Sequence, residues 1–326
     1  MLKLFRYKNL IFIVLIQWLI YYSVISPILQ KFGLALMLPS WCFWLLVIAT
    51  VMISTGGYII NDYFDVKIDQ INRPDDVVIG KSISKKTAMT LYMVISGIGV
   101  LLGLFVSIWL KNTTLGFIFI VVTGMLWFYS SSYKRQFLIG NLIVALSCAL
   151  SILVLLVAES SLQSNYYGEL IRQTPVLPEL YRWVCSYAAF AFMLTLIREI
   201  IKDMEDIKGD KEVECRTLPI VWGERNAKTV VTCLLSISLI LLFFLVNKLN
   251  LPNDSGISLR YFLFGIALPS ILVIIFLWSK KMENNYKNAG NLIKFIMLIG
   301  ILYSLCFYYL TAKAYHLAMF GIFNIV

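Results

Sequence analysis

Apolar residues recur along the chain in nine long runs, near 10–30, 40–60, 90–110, 114–131, 139–158, 183–200, 229–247, 259–278 and 292–311. Each holds about 20 mostly apolar residues, which as a helix is enough to cross the hydrocarbon of a bilayer. The pattern predicts an all-α membrane protein, a bundle of about nine transmembrane helices around a central cavity. Two polar segments interrupt it, 61–89 and 199–228. They fall between the second and third runs and between the sixth and seventh, and are expected to cap the bundle on one face. Segment 159–182 is a third long connection and slightly acidic. The tail 312–326 is apolar but too short to span, and reads as interfacial.

Composition turns that pattern into a solvent argument. Of 326 residues, 60% are hydrophobic and 14% charged, with a mean hydropathy of +0.82. A soluble domain carries about 25% charged residues, so this chain cannot clothe a globule in polar surface. No cleavable signal peptide is expected, because the run from Leu10 is too long and lacks a small-residue cleavage site. The six cysteines form no Cys-x-x-Cys pair and mostly lie inside apolar runs, where they read as small buried hydrophobes. A single histidine, His316, excludes a histidine metal cluster.

The net charge of +10 raises the question of nucleic acid. In a chain this apolar, a basic excess reads instead as cytoplasmic loops facing lipid headgroups and phosphate. With the N-terminus inside, 21 of the 28 Lys and Arg fall in inside segments. The expected protein is therefore multi-pass in the cell membrane, with 61–89 and 199–228 cytoplasmic, contacting membrane lipid and not nucleic acid.

Both of those segments open on the same acidic pattern. Asp62, Asp65 and Asp69 follow Asn61 at the end of the second run, and Asp203, Asp206 and Asp210 close the sixth. Spacings of i, i+3 and i+7 place each trio within about 60° on a helix. Three aspartates on one stripe repel unless a cation offsets them. Oxygen-only ligands select a hard cation, and Mg²⁺ fits best, because it takes one or two carboxylates and leaves its other positions to water and phosphate. Asn61, Asp62, Asp65, Asp203 and Asp206 are the candidate metal ligands. Lys86-Thr87 follows the first trio as Lys228-Thr229 follows the second, at offsets of 141 for the aspartates and 142 for the lysines. The repeat predicts two halves, about 1–158 and 159–326, within one domain spanning 1–326, related by a pseudo-twofold with the site between them.

A diphosphate held by such metals also needs direct donors. Arg73, Lys81, Lys85 and Lys86 follow the first trio, and Arg198 and Lys202 precede the last. Arg198 is in phase with Asp206 near the end of an apolar run, where a charge calls for a partner. Lys134 and Arg135 lie between the fourth and fifth runs, just after Tyr129.

These residues carry a resemblance. Asn61-Asp62-x-x-Asp65-x-x-x-Asp69 with Ile71-Asn72-Arg73-Pro74 resembles the first signature of the UbiA superfamily of intramembrane prenyltransferases. Asp203-x-x-Asp206-x-x-x-Asp210 resembles its second. Tyr129, Lys134 and Gly140-Asn141 look like the family's segment after the fourth helix. Arg6-x-x-Asn9 is similar to its N-terminal Arg-Pro-x-Asn, with Tyr7 in place of the proline. Within the superfamily, Arg198 to Asp206 and Thr217 to Gly223 are most similar to the digeranylgeranylglyceryl phosphate synthase branch. Val78 to Ser84 departs from the pattern, standing where many members have a proline-rich stretch.

The resemblance implies Mg²⁺-dependent transfer of a prenyl group, geranylgeranyl for that branch, from a prenyl diphosphate to a hydrophobic acceptor. The acceptor would be the hydroxyl of a prenylglyceryl phosphate, with an aromatic acceptor as the alternative. It also implies roles. Arg198, Lys202, Lys134 and Tyr129 would act at the diphosphate; Arg73, Arg6, Asn9 and Lys81 would bind substrate. Asp69, Asp210 or the released diphosphate would take the acceptor's proton. A transporter with an inverted repeat is the competing class. Against it, transport sites lie at mid-membrane, whereas these acids cluster at one surface.

Overall fold

The computed structural model describes residues 2–72, 77–248, 254, 256–279, 285–321 and 323–324. Among them are nine helices long and apolar enough to cross a membrane. They are α1 (Tyr7–Lys31), α2 (Ser40–Asn72), α3 (Lys85–Trp109), α4 (Thr113–Ser131), α5 (Ile139–Tyr167), α6 (Val176–Glu205), α7 (Glu224–Lys248), α8 (Ile257–Trp278) and α9 (Asn285–Tyr315). Every predicted run lies within one of them except the third, which passes the end of α3 by one residue, and the chain is an integral multi-pass membrane protein.

The differences from expectation have local causes. Helices α2 and α6 run well past their apolar stretches, so the polar segment 61–89 begins as helix and carries Asn61 to Asp69 on it. Two helices widen into π turns, at Tyr21–Ile25 and Phe262–Ala267. Each turn lies just before a proline, Pro27 and Pro269. Proline has no N–H to donate, and its ring crowds the carbonyl four residues back, which a π turn relieves. The tail does not continue as helix: Ala318–Met319 pairs antiparallel with Phe323–Asn324. Phe320, between those strands, stacks on Trp18 of α1 with ring centroids 5.8 Å apart.

Packing follows the chain. Helix α2 lies on α3, α5 on α6, and α8 and α6 on α9, while α1 touches α2, α5 and α9. The largest apolar cluster joins α1, α2, α5 and α6 around fully buried Tyr21 and Phe43. A second joins α6 to α7, α8 and α9. In the first, buried Glu159 of α5 accepts from the Tyr21 hydroxyl at 3.1 Å, the Met37 and Leu38 amides at 2.8 and 3.0 Å, and Gln163 at 2.8 Å. A lone buried carboxylate would be costly; these four donors fix the α1–α2 connection to α5.

Candidate active site

The site forms at the ends of α2 and α6. The first acidic stripe is as expected, since Asp62, Asp65 and Asp69 share the last three turns of continuous α2. The second is interrupted. Helix α6 stops at Glu205, Asp206 is its C-cap (φ −94°, ψ 6°), and Asp210 belongs to a separate short helix, Ile207–Glu212. That helix packs against α2. The break therefore brings the second cluster across to the first, which a straight helix would not do.

Each half is held by a group from elsewhere in the chain. Arg6 stands in a left-handed turn (φ 48°, ψ 49°) between a short N-terminal helix, Leu2–Phe5, and α1. Its guanidinium donates to Asp62 at 2.7 Å and lies 5.2 Å from the centre of the Tyr58 ring. Asn9, one turn on, bonds Tyr58. Lys134 comes from the turn Tyr133–Arg135 between α4 and α5 and makes an ion pair with Asp65. Asn141, in the first turn of α5, donates from Nδ2 to Asp203 at 2.8 Å.

Two lysines span the gap. Lys134 and Lys202 both act electrostatically on Asp210, and Lys202 also on Asp203. Burial, then Lys202 and Arg135, push the Lys134 ammonium down to about 7, so its charge depends on the carboxylates facing it. Burial and the adjacent Asp206 push Asp210 up to about 6, against the pull of Lys202 and Lys134. The segment after Asp210 closes over this turn, the Arg216 amide donating to the Arg135 carbonyl at 2.8 Å.

Deeper in the bundle, Arg198 bonds Glu199 at 2.7 Å, and Tyr129 faces Glu199, Asp203, Arg6 and Arg198. Of the residues expected from sequence, Arg6, Asn61, Asp62, Asp65, Asp69, Tyr129, Lys134, Arg198, Lys202, Asp203, Asp206 and Asp210 belong to these two helix ends or face them. Asn9 joins through Tyr58. Lys81 lies exposed in a turn closed by a bridge between Ile79 and Ile83. Arg73 lies outside the described residues. Sequence reasoning missed two participants. Asn141 was legible only as part of a family segment, and buried Glu199 only as the neighbour of Arg198; neither belongs to an aspartate motif.

The donor set suits a hard divalent cation. Asn61, Asp62, Asp65, Asp203 and Asp206 offer only oxygen. The Asn61 side-chain carbonyl is buried with no hydrogen-bond partner. Among the described residues no three acidic, Cys or His side chains stand close enough to hold an ion by themselves. A cation here would thus take one or two carboxylates and complete its shell with water and phosphate, as Mg²⁺ does.

The model of the UbiA prenyltransferase family matches residues 24–299. The digeranylgeranylglyceryl phosphate synthase of Sulfolobus acidocaldarius is 31% identical over 264 residues, covering 80% of this chain and 83% of that protein. Among solved structures, a UbiA homolog from Aeropyrum pernix K1 shares the fold with a TM-score of 0.61 at 17% identity, over 89% of this chain and 96% of that one. A UbiA homolog from Archaeoglobus fulgidus bound to DMAPP and Mg²⁺ matches with a TM-score of 0.52 at 13% identity, over 90% and 98% of the two chains.

Proposed function

The chain belongs to the UbiA prenyltransferase family, and on that premise we propose that it transfers a geranylgeranyl group from its diphosphate to the hydroxyl of a prenylglyceryl phosphate. The donor class follows the Archaeoglobus homolog, which binds DMAPP with Mg²⁺. The acceptor follows the synthase named for its relative from Sulfolobus. One observation carries the assignment to this site: the helix bearing Asp210 packs on α2, and Lys134 pairs with Asp65 while acting on Asp210. Two acidic motifs 141 residues apart thereby become one pocket with cations between them.

Two Mg²⁺ ions, shared among Asn61, Asp62, Asp65, Asp203 and Asp206, would supply charge stabilisation for the departing diphosphate. Arg198, Lys202, Lys134 and Arg6 would supply donors for its oxygens, and Arg73 and Lys81 would add to them. The C1–O bond of the allylic diphosphate breaks and the acceptor oxygen bonds to C1. The hydroxyl proton passes to Asp210, Asp69 or the released diphosphate. Aromatic side chains lining the path would shield the cationic C1. The excess of Lys and Arg on this side of the bundle supports a cytoplasmic site in the cell membrane.

The test is an acceptor screen. Purified protein in nanodiscs, with Mg²⁺ and geranylgeranyl diphosphate, is offered geranylgeranylglyceryl phosphate, 4-hydroxybenzoate, dihydroxynaphthoate or homogentisate. An ether product from the first is expected; product from an aromatic acceptor alone refutes the assignment. Asp65→Ala and Asp206→Ala should each abolish transfer without affecting insertion, and EDTA should do the same to the parent protein. Activity surviving either treatment would sink the metal-diphosphate reading.

A further inference from the structure

A partly open apolar pocket lies between α6, α7, α8 and α9, with room for a few methylene-sized groups. It is remote from the acidic cluster. Tyr187 on its wall precedes Asp203 by 16 residues of one helix, about 24 Å at 1.5 Å per residue. Ser258, also on the wall, is the second residue of α8, so the cavity occupies the opposite half of the membrane.

Its wall is apolar apart from a few hydroxyls, and most of these are already bonded. Ser258 and Tyr303 bond each other at 2.7 Å, Tyr261 donates to the Ile299 carbonyl at 2.7 Å, and Ser186 donates to the Arg182 carbonyl at 2.7 Å. The Tyr187 hydroxyl is different. It is fully buried, and no hydrogen-bond partner reaches it. A buried donor left unmade is unusual in a folded protein, and Tyr187 is one of the residues that line the pocket. Two exposed arginines, Arg182 and Arg260, adjoin the wall residues Trp183 and Tyr261 in sequence. They set positive charge at the membrane surface on this side.

We propose that this cavity binds an anionic glycerolipid from the leaflet opposite the acidic cluster. An apolar chain fills the space, a glycerol ether or ester oxygen accepts from Tyr187, and the phosphate headgroup meets Arg182 and Arg260. The three features match the three parts of one amphiphile, whereas a wholly apolar occupant would leave Tyr187 unpaired.

The experiment uses the full chain in nanodiscs doped with phosphatidylglycerol carrying a diazirine on one acyl chain, followed by photolysis and peptide mapping. Labelling is expected on the α6 and α8 segments that line the cavity. Tyr187→Phe should reduce it about three- to tenfold, the range for one lost hydrogen bond. Leu242→Trp, which fills the space, should abolish it there. Both variants should keep thermal stability and prenyl transfer within about twofold of the parent. Equal labelling in all three proteins would mean only annular lipid and overturns the proposal. Displacement of the probe by geranylgeranyl diphosphate overturns it too, since the cavity would then belong to the reaction site.

Discussion

Adding one methyl group at Gly140 should separate the site's geometry from its charge. Gly140 is the second residue of α5, entered through Leu138 in a left-handed conformation (φ 54°). A Cβ built there would lie 2.7 Å from the Lys134 Cα, 3.0 Å from the Tyr133 carbonyl oxygen and 3.2 Å from the Lys134 nitrogen. All three are backbone atoms, so no side chain can swing aside. Ordinary contact needs about 3.5 Å or more, and the Tyr133–Arg135 turn must retreat by roughly 1 Å. Lys134, which pairs with Asp65 and acts on Asp210, moves with it. A displacement of that size at a reacting centre costs on the order of 100-fold in rate. Stability should change little. Overpacking costs about 1–3 kcal/mol, but alanine recovers about 1 kcal/mol over glycine in a helix. Gly140→Ala is therefore expected to insert normally, melt within a few degrees of the parent and transfer prenyl groups about 100-fold more slowly. Gly124→Ala in α4, where nothing lies within 4 Å, is the control and should be silent. Initial rates with radiolabelled prenyl diphosphate in nanodiscs, alongside melting curves, make the measurement. A Gly140→Ala rate within about threefold of the parent would refute the role given to the Lys134 turn.

Three other outcomes are expected. Asn141→Ala removes the donor that orients Asp203; metal affinity or activity should fall about 10- to 100-fold, and a Mg²⁺ titration should show partial rescue at high concentration. Asp210 is held at about 6 rather than 3.8, so the folded state binds more protons and metal-free stability should fall as pH rises from about 4 through 6. Asp210→Asn should consequently gain about 1–2 kcal/mol at pH 7.5, after allowance for solvent screening, and nothing at pH 4; equal gains at both would refute the burial argument. Glu159→Ala strips four donors of their acceptor at the far end of the bundle and should cost about 3–5 kcal/mol. A melting temperature unchanged by that substitution would contradict it.

What could be read from the sequence depended on the range of the signal. Spans are local: each run of 20 apolar residues carries its own evidence, and all nine match observed helices to within a residue. The paired aspartates were legible because a repeated spacing is also local, written twice. The contacts that hold those aspartates are not local. Arg6 to Asp62 joins residues 56 apart, Asn141 to Asp203 joins residues 62 apart, and nothing in either neighbourhood names its partner. The helix ends misled for a different reason. Periodicity sees a continuous acidic stripe through Asp206 and Asp210, but Glu205 and Asp206 set two like charges in succession at the carboxyl end of α6, where the helix dipole disfavours them.

That break explains why a repeat of sequence need not be a symmetric structure. In the first half the helix continues through Asp69, so its three carboxylates stay on one rigid rod. In the second, α6 ends at Glu205 and the short helix Ile207–Glu212 crosses to lie on α2. The rigid stripe offers fixed oxygens, while the broken one delivers Asp210 into a buried position between Lys134 and Lys202, where its carboxyl stays partly protonated near pH 6. Identical spacings thus yield unlike settings: three carboxylates on one continuous rod on one side and, on the other, Asp203 and Asp206 at a helix end with Asp210 set apart on its own short helix.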